Sequence, residues 1–357
     1  IPAGILADEI LTPGPGKVRA MFNMAGNPLL TCAGSDRLAS AFDDLELMVC
    51  IDIFRNETAQ FAHYILPGLH SLDRADIPFY FFTIMGLMPV RSFSYTDPVL
   101  SPAGESRDEG LIFRQLCRAA GRPIAGSRIF QWVSNAAETL SHLPMVGRRT
   151  SLDRLFISLL TVSGKLGGLR KLRKYPDGIL LQPNQPGDFL GKRVNTRSGK
   201  VELAAPDLVE QAKDLESLFE TERVNARALK LIQKRERFTH NSWAHNVEAF
   251  VKGDRNTNYL YIHPQDAQSR DLSAGDMARV SVGEKSILVP TKLDEDLLPG
   301  TISVPHGWGH QQAEGLNVAR HTGGANVNVI MPDGPGSIEP GSGMSHMNGV
   351  IAEVARA

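Results

Sequence analysis

The sequence predicts a parallel α/β unit followed by a small β-barrel, and two patterns along the chain of 357 residues favour this order. Between residues 17 and 75, short apolar runs alternate with helix-like segments, as they do where helices pack on a parallel sheet. In the last third of the chain, short β-rich runs are separated by frequent Gly and Pro, which is typical of a small barrel. The two ends of the chain are therefore expected to differ in architecture.

The first unit is predicted as two strand–helix pairs. Residues 17–24 (KVRAMFNM) and 46–54 (ELMVCIDIF) are the apolar runs, and the second is nearly continuous, as in a parallel strand with both faces buried. Residues 35–45 (SDRLASAFDDL) and 56–68 (NETAQFAHYILPG) each begin with a helix-capping residue type and predict the two helices. Strand, helix, strand and helix at this spacing predict a doubly wound unit.

Further helices are predicted over 108–142 and 151–160, after which the composition changes. Residues 163–205 are rich in Gly, Pro and basic residues, so we place a linker there and interpret its basic run as a solvated loop. The expected parts of the chain are residues 1–165, 166–228 and 229–357.

The barrel is predicted from the pattern beyond residue 258. Residues 263–270 (HPQDAQSR) predict one short helix, and residues 271–282 (DLSAGDMARVSV) predict a turn followed by a strand. Residues 283–293 (GEKSILVPTKL) predict the continuation of a hairpin. A few helices are therefore expected to pack on a barrel of short strands.

The overall composition excludes several function classes. The net charge is −1, which removes the bulk electrostatic case for nucleic acid or an anionic membrane. No apolar run is long enough to span a bilayer, and the nearest one, residues 80–90, is broken by Gly86 and Pro89 and is expected to be buried. Three isolated cysteines favour inert thiols in a reducing compartment. We expect a cytoplasmic protein and leave export open, because the sequence does not begin with Met.

The first candidate site is the stretch AGNPLL, residues 25–30, at the carboxyl end of the first predicted strand. Doubly wound sheets bind nucleotides at such strand ends. Gly26 would let the backbone approach a ligand, Asn27 offers an amide, and Pro28 stiffens the turn. Asp52, at the end of the next strand, could accept hydrogen bonds from a ribose or a guanine edge. The alternatives are a tight turn for Gly26 and Asn27 and a helix N-cap for Asp52.

The second candidate is RFTHNSWAHN, residues 237–246, which places His240, Ser242, Trp243 and Asn246 close together. Small hydrogen-bond donors beside an aromatic ring suit contacts to phosphate and to a heterocycle. A polar turn that caps a helix beginning near Ser242 is the alternative.

The third candidate is SVPHGWGH, residues 303–310. His306 and His310 are four residues apart, but Gly307 and Gly309 argue against a helix, and the Glu of a zinc-protease helix is absent. The glycines instead permit close backbone approach, and the imidazoles and the Trp308 indole are donors toward phosphate or ring oxygens. Asn326, Asn328 and Asn348 downstream carry the paired donor and acceptor that a purine or pterin edge requires.

Seven stretches in this order resemble one known family. They are GNPL, IDIFRNETAQFAHYILPG, TRSGKVEL, HNSWAHN, YIHPQDAQSRDLSAGDMARVSV, LPGTISVPHGWGH and NGVIAEV. Together they resemble the C-terminal half of the molybdopterin oxidoreductases of the dimethyl sulfoxide reductase and formate dehydrogenase type. The resemblance covers most of the chain and is weakest across residues 125–190.

This resemblance implies a Rossmann-like parallel-sheet domain, present in part, followed by a molybdopterin dinucleotide-binding double-psi barrel. It also implies a molybdenum or tungsten ion held by two pterin guanine dinucleotides. Gly26, Asn27 and Pro28 would line one dinucleotide, and Asp52 would receive its guanine with Phe54 and Thr58 nearby. The residues implied to contact phosphate or pterin from the barrel side are His240, Ser242, Trp243, Asn246, His306, Gly307, Trp308, Gly309, His310, Asn326, Asn328 and Asn348.

The family pattern also has parts that this sequence lacks. The cysteine-rich iron–sulfur domain and the residue that ligates the metal lie upstream in that pattern, so no catalytic residue and no metal ligand is named here. We therefore expect a C-terminal portion of a larger enzyme that carries out two-electron oxidation or oxygen-atom transfer on a small substrate, and expect the isolated chain to be inactive. The expected partners are the N-terminal half or a companion subunit, which would hold the iron–sulfur cluster, and an electron-transfer partner.

Three other functions remain alternatives. The first is a non-catalytic cofactor-binding module or degenerate homologue, which would keep the same ligand-facing stretches. The second is a metal-dependent hydrolase that uses His306, His310 and His321, against which the intervening glycines argue. The third is a nicotinamide-dependent dehydrogenase, which would require a three-glycine fingerprint that the α/β unit lacks.

Overall fold

The structure is a computed structural model that describes residues 2–77, 92–141, 157–159, 161–162, 166–183, 185, 187, 194–224, 228–239 and 241–357. The chain forms two compact units. The first comprises Ile1–Leu66 and Ala204–Ala357, and the second comprises Pro67–Leu203. Both the α/β segment, residues 1–66, and the barrel therefore lie in the first unit. The sequence-based boundaries at 165 and 228 stay a prediction.

The α/β segment begins with a short helix and continues with a three-stranded sheet. Its helices are α1 (Leu6–Leu11), α2 (Pro28–Thr31) and α3 (Ser35–Asp43), and its strands are β1 (Ala20–Met24), β2 (Leu47–Asp52) and β3 (Tyr64–Pro67). β1 and β2 are parallel, with Ala20 opposite Leu47 and Met24 opposite Ile51. The two predicted strands and the first predicted helix are therefore confirmed. α3 lies in the connection that brings the chain from β1 to the parallel strand β2.

The helix predicted over 56–68 is wrong. One 3₁₀ turn, Thr58–Phe61, is followed by β3. Asn56 does cap this turn, since its side-chain oxygen accepts a hydrogen bond from the Ala59 amide at 3.1 Å. Beyond the turn, the His63 amide donates to the Met48 carbonyl of β2 at 2.8 Å. Pairing with the sheet therefore satisfies this backbone and overrides the local helix signal.

In its described residues, the second unit contains short strands, two longer helices and a short helix. They are β4 (Ser92–Phe93), α4 (Glu109–Ala119), α5 (Arg128–Ser141), α6 (Leu169–Leu172) and β5 (Ile179–Leu180). The helical stretch predicted over 108–142 is thus two helices, separated by a turn around Gly121, whose φ of 64° ends α4. The predicted buried segment 80–90 lies outside the described residues, and so does most of the predicted helix 151–160.

In its described residues, the rest of the first unit comprises the six strands of a closed barrel and three α-helices. They are α7 (Pro206–Gln211), α8 (Leu215–Val224), β6 (Leu229–Lys234), β7 (Leu260–Ile262), α9 (Pro264–Gln268), β8 (Met277–Val282), β9 (Lys285–Leu293), β10 (Thr301–Pro305) and β11 (Val350–Arg356). The strand order around the barrel is β10, β6, β11, β8, β9, β7. The predicted barrel, its short helix and the β8–β9 hairpin are confirmed.

Short 3₁₀ helices connect many of these elements. They are Ala3–Ile5, Thr58–Phe61, Ile124–Gly126, Ala212–Asp214, Ser242–Asn246, Glu248–Phe250, Gly253–Arg255, Ala319–His321, Val327–Val329 and Pro335–Ser337. Within the described part of the chain, no helix has both the length and the apolar character needed to cross a membrane.

Two apolar cores position the site. The α/β core is centred on Ile10, Phe42 and Met48, and the barrel core contains Leu231 and Ile302 among its fully buried side chains. Burial of each such side chain stabilises the fold by about 1.5–3 kcal/mol. The loops that line the site leave from strands of these two cores.

Candidate functional site

A cavity of about 380 Å³ opens at the carboxyl ends of β1 and β2, and we call it the strand-end cavity. Its lining comes mainly from the two loops that follow these strands, together with residues 241–243 and Leu316. The lining residues are Ala25, Gly26, Asn27, Thr31, Asp52, Ile53, Phe54, Asn56, Asn241, Ser242, Trp243 and Leu316. Parts of the sequence that are more than 180 residues apart, before Asn56 and after Asn241, therefore meet at one cavity.

The loop after β1 is held firmly at this cavity. Ala25 has a φ of 50°, a left-handed conformation that residues other than Gly adopt infrequently. Its amide donates to the Ile51 carbonyl at 2.9 Å. The Gly26 carbonyl accepts from the side-chain amides of Asn23 at 2.8 Å and of Asn56 at 3.2 Å. Backbone strain of this kind persists where the surroundings fix it, and it is concentrated at functional sites.

Asp52 forms part of the same wall and organises the second loop. One carboxylate oxygen accepts from the Phe54 amide at 3.0 Å, and the other accepts from the Asn56 side chain at 3.2 Å. Burial raises the pKa of Asp52, and the hydrogen bonds from the loop oppose this rise. An ionised carboxylate has about four acceptor positions, so Asp52 can serve the turn and still accept from a ligand.

An aromatic pair borders the strand-end cavity. The rings of Phe54 and Trp243 are stacked, with centroids 6.4 Å apart and planes inclined by 25°. Trp243 is 43% exposed, and it follows Ser242 in the 3₁₀ helix Ser242–Asn246. The pair provides a planar apolar edge beside the Asp52 carboxylate, which suits a heterocycle with polar substituents.

Other predicted site residues hold the walls by binding protein atoms. Pro28 is the first residue of α2. Thr58 is fully buried, and its hydroxyl donates to the Asn27 side-chain oxygen at 2.8 Å. The side-chain oxygen of Asn246 accepts from the amides of Val318 and Ala319 at 2.8 and 3.3 Å. These groups position the loops around the cavity.

The asparagines beyond residue 320 join the barrel to the α/β segment or to itself. The Asn326 amide donates to the Leu29 carbonyl at 2.7 Å, and the Asn328 amide donates to the Leu30 carbonyl at 2.7 Å. The Asn348 side-chain oxygen accepts from the Gln233 amide at 2.8 Å. Their proposed contacts with a ligand stay predictions, as does that of His240, which lies outside the described residues.

A buried row of hydrogen bonds leads from the strand-end cavity into the barrel. Asn27 donates to Glu57 at 2.6 Å, and the other Glu57 oxygen lies 2.7 Å from Nδ1 of His310. Nε2 of His310 lies 2.9 Å from Nδ1 of His245, whose Nε2 lies 2.8 Å from the Thr239 hydroxyl. None of these five side chains is more than 9% exposed, so the row is shielded from solvent.

His245 is held as a neutral ring within this row. Burial lowers its pKa to about 3, and the neighbouring His310 contributes, while the Gly307 carbonyl opposes the shift. The Trp308 indole stacks on the ring with centroids 3.9 Å apart. Predicted residues His310 and Trp308 are thus buried in the protein, where they orient His245.

A second cavity of about 280 Å³ lies at the far end of the row, and we call it the basic cavity. Five cationic residues line it, accompanied by aromatic rings and two acidic residues. The lining is Lys234, Arg235, Glu236, Arg237, Phe238, Thr239, His245, Phe250, Asp254, Arg255, Thr257, Tyr259, Tyr261, Lys292 and Trp308. Several cations lie over rings, such as Lys234 at 3.5 Å from the Tyr261 centroid. Such a lining favours an anionic ligand with a flat ring.

The segment HGWG, residues 306–309, contributes Trp308 to the lining of the basic cavity. Among the described residues, Nδ1 of His306 and the Trp308 indole nitrogen are buried without a hydrogen-bond partner. Burial lowers the pKa of His306, and the nearby Arg235 adds to this effect. Gly309 has a φ of 103°, and a Cβ there would lie 2.9 Å from the Asn326 backbone nitrogen. The close approach that Gly309 permits is therefore an approach of protein backbone.

The described residues contain no group of three or more His, Cys, Asp or Glu side chains that could hold a metal ion. The metal-hydrolase alternative with His306, His310 and His321 therefore gains no geometric support there. His310 is instead committed to Glu57 and His245.

Sequence reasoning missed Glu57, Thr239, His245 and the cations of the basic cavity. Glu57 lies within the helix predicted over 56–68, although its position just after Asp52 could have indicated a site. The run KRER, residues 234–237, is the available signal for the basic cavity.

Two family models match parts of this chain. Residues 5–119 match the family Molybdopterin oxidoreductase, and residues 229–350 match the Molydopterin dinucleotide binding domain. Similar curated proteins include acetylene hydratase of Syntrophotalea acetylenica, at 24% identity over 97% of this chain and 45% of the relative. Trimethylamine-N-oxide reductase of Haemophilus influenzae is 23% identical over 86% of this chain and 39% of the relative.

Two further proteins are similar to this chain over more than 90% of its length. The thiosulfate reductase molybdopterin-containing subunit of Salmonella typhimurium is 24% identical over 92% of this chain and 42% of the relative. The solved structure of acetylene hydratase from Pelobacter acetylenicus matches with a TM-score of 0.69 at 22% identity, over 99% of this chain and 46% of that one. The chain thus has the fold of that protein and spans less than half the length of the curated relatives named here.

Proposed function

We propose that this chain binds the guanine dinucleotide form of the molybdopterin cofactor. The chain carries a molybdopterin oxidoreductase domain and a molybdopterin dinucleotide binding domain, and it has homologues in the dimethyl sulfoxide reductase family. The chain is then part of an oxidoreductase that uses molybdenum or tungsten. Its α/β segment would be a partial Rossmann-like domain and its barrel a double-psi barrel. The reaction would be a two-electron oxidation or an oxygen-atom transfer on a small substrate.

The observation that carries this proposal is the composition of the strand-end cavity. Asp52 comes from the region that matches the first family, and Trp243 comes from the region that matches the second. A guanine presents N1–H and N2–H₂ donors, which a carboxylate such as that of Asp52 accepts as a pair. Phe54 and Trp243 offer an aromatic edge for the same ring. The volume of about 380 Å³ is within the range of small-ligand pockets.

The lining of the basic cavity suits the anionic part of the cofactor. Lys234, Arg237 and Lys292 are among its cations, and Tyr259 and Tyr261 are among its rings. Phosphate groups and a pterin together require cations and flat surfaces. The unpartnered Trp308 indole nitrogen supplies one more donor in a side chain that lines this cavity. The residues present therefore fit such a group.

When bound, the cofactor supplies the electron chemistry, and the protein supplies binding, orientation and the electrostatic environment. In this chain, Asp52 would fix the base, the rigid loop at Gly26 would fix the backbone contacts, and the cations of the basic cavity would neutralise phosphate. The described residues offer no metal-binding cluster. The protein ligand to the metal, an iron–sulfur cluster and the electron partner are accordingly proposed to lie outside this chain.

A second candidate reaction follows from one comparison. Acetylene hydratase is among the similar proteins in sequence and in fold, and its name describes addition of water to a substrate. A hydration reaction would use the same two cavities for the cofactor. It differs from the first proposal in the net oxidation state of the product, which product analysis of the complete enzyme would show.

The test of the nucleotide assignment is a binding titration of the full chain with GMP and AMP. We expect the chain to prefer GMP, and we expect Asp52→Asn to remove that preference by weakening GMP binding about 10- to 100-fold, because hydrogen bonds to a charged acceptor are lost. The exposed Asp296→Asn is the control and should bind as the parent chain does. Equal affinities of the parent chain for both nucleotides would contradict the guanine assignment.

The titration also has an expected pH dependence. Burial raises the pKa of Asp52, and only the ionised carboxylate accepts from both guanine donors. GMP affinity should therefore fall as the pH is lowered, beginning above the pH at which an ordinary aspartate is protonated. Asp52→Asn should abolish this dependence.

A further inference from the structure

The hydrogen-bonded row from Asn27 to Thr239 has a direction that can be derived from donor counts. Asn27 donates its amide hydrogen to one oxygen of Glu57, and His310 meets the other oxygen through Nδ1. Both oxygens of the Glu57 carboxylate therefore accept. Nδ1 of His310 must carry the hydrogen that completes this pair.

The direction continues through both histidines. A neutral imidazole carries one N–H, so a His310 that donates from Nδ1 presents an acceptor at Nε2. Nδ1 of His245, 2.9 Å away, then donates to it, and Nε2 of His245 becomes an acceptor. The Thr239 hydroxyl, 2.8 Å from that nitrogen, must donate its single hydrogen inward.

We propose that Glu57, acting through His310 and His245, fixes Thr239 as a hydrogen-bond acceptor in the wall of the basic cavity. The cavity thereby selects a planar anionic ligand that directs an N–H or NH₂ group at Thr239. The pterin as ligand rests on the proposed function, whereas the direction of the row rests on the hydrogen-bond geometry and on a single hydrogen on each imidazole ring. Glu57, His310 and His245 are positioning residues in this scheme, and Thr239 determines specificity.

The packing around His245 prevents the ring from escaping this arrangement. Trp308 stacks on one face at 3.9 Å between centroids, and His310 meets the ring edge-on at 5.1 Å. A ring flip would break both hydrogen bonds of a side chain that is 1% exposed, which is costly for buried polar groups. The low pKa of His245 agrees with a ring that stays neutral.

Thr239 is well placed to read a ligand because it adds a neutral acceptor to a cavity whose cations are donors and whose acidic side chains are Glu236 and Asp254. Lys234, Arg237 and Lys292 line the same cavity and can donate to phosphate or to ring oxygens. A heterocycle with only acceptors would satisfy these cations but leave the lone pairs of Thr239 unmatched. A heterocycle that also carries an N–H would satisfy both, and buried polar mismatch of this kind produces strong discrimination.

The first experiment determines which imidazole nitrogens carry hydrogen in the full chain labelled with ¹⁵N-histidine, using long-range ¹H–¹⁵N correlation spectra without any ligand. We expect His245 to be neutral with its hydrogen on Nδ1. A hydrogen on Nε2 of His245, which a charged His310 would impose, overturns the proposal. This result is independent of whether any cofactor binds.

The second experiment measures binding of neopterin monophosphate, a pterin with a phosphate, and of inorganic phosphate to the parent chain, Thr239→Val and Thr239→Ser. Valine keeps the shape and removes the hydroxyl, so we expect about five- to tenfold weaker binding of the pterin and unchanged binding of phosphate. Serine should restore pterin binding. Thermal unfolding of both variants confirms that they are folded.

Equal pterin affinities of the parent chain and Thr239→Val would overturn the role of Thr239. A parent chain that binds phosphate but not the pterin would overturn both the ligand selection and the pterin assignment of the proposed function. The imidazole spectra still decide separately whether Glu57 sets the direction of the row.

Discussion

Glu57 and His310 are 253 residues apart in the chain, and their side chains meet at 2.7 Å in the interior of the first unit. His310 is fully buried, and the Glu57 side chain is 8% exposed. The pair joins the α/β segment to the barrel between the strand-end cavity and the basic cavity. Together with the bonds from Asn326 and Asn328 to the α/β segment, this contact fixes the relative placement of the two cavities.

Replacing Glu57 by Ala should destabilise the chain substantially. The change leaves the Asn27 amide and Nδ1 of His310 buried without an acceptor, and loss of one partner of such a buried pair costs about 3–5 kcal/mol. Denaturant unfolding measures the free energy. Glu314→Ala is the matched control, because Glu314 pairs with Arg55 at an exposed position and should change stability by about 0–1 kcal/mol. Similar losses in both variants would show that the buried pair has no special role.

Replacing Gly309 by Ala should also destabilise the fold. Gly309 has a φ of 103°, and an added Cβ would lie 2.9 Å from the backbone nitrogen of Asn326. Strain and overpacking together should cost about 2–5 kcal/mol in the free energy of unfolding. Gly336→Ala is the control, since nothing lies within 4 Å of a Cβ there. A Gly309→Ala variant as stable as the control would show that the 326 segment can move away.

The sequence predicts much of the fold because the decisive signals are local. The apolar run of β2 and the alternating strands of the barrel are determined by short-range patterns, and the structure has both. The stretches around Gly26 and Asp52 line one cavity, as an interpretation based on strand ends requires, and Trp243 lines the same cavity. A local pattern could not predict β3, because its backbone is satisfied by a neighbouring strand.

The hydrogen-bond partners of the buried polar side chains are harder to predict from the sequence. His310 was interpreted as a donor to a ligand, but its partners are Glu57 and His245, which come from two other parts of the chain. Asn326 was interpreted in the same way, and its amide binds the Leu29 carbonyl. Polar residues at a ligand site and polar residues at an internal contact have the same composition. Only the packing of the α/β segment on the barrel separates them.

The acid stability of the chain should depend on His245. Its pKa is lowered to about 3 in the folded state, against about 6.5 in an unfolded chain. A depressed folded pKa stabilises the fold above pH 6.5, and this contribution is lost as the pH falls from 6.5 toward 3. The free energy of unfolding should therefore decrease by a few kcal/mol over this range.

Denaturant unfolding at several pH values would measure this decrease. His245→Asn removes the titrating group, so the variant should show a shallower dependence on pH between 6.5 and 4 even though it is less stable at pH 7. An unchanged slope in the variant would mean that other groups account for the acid sensitivity.

Trp243 should contribute to nucleotide affinity by stacking its ring on the base. Its ring is 43% exposed, lines the strand-end cavity and is stacked on Phe54. Stacking of a base on an aromatic side chain is worth about 1–3 kcal/mol, so Trp243→Ala should weaken GMP binding about 5- to 150-fold. Trp132→Ala is the matched control, because Trp132 is 71% exposed, belongs to α5 and is not one of the residues that line the cavity. Because stacking does not depend on base identity, AMP binding should weaken by a similar factor, in contrast to Asp52→Asn. Unchanged affinity for both nucleotides in Trp243→Ala would place the base elsewhere.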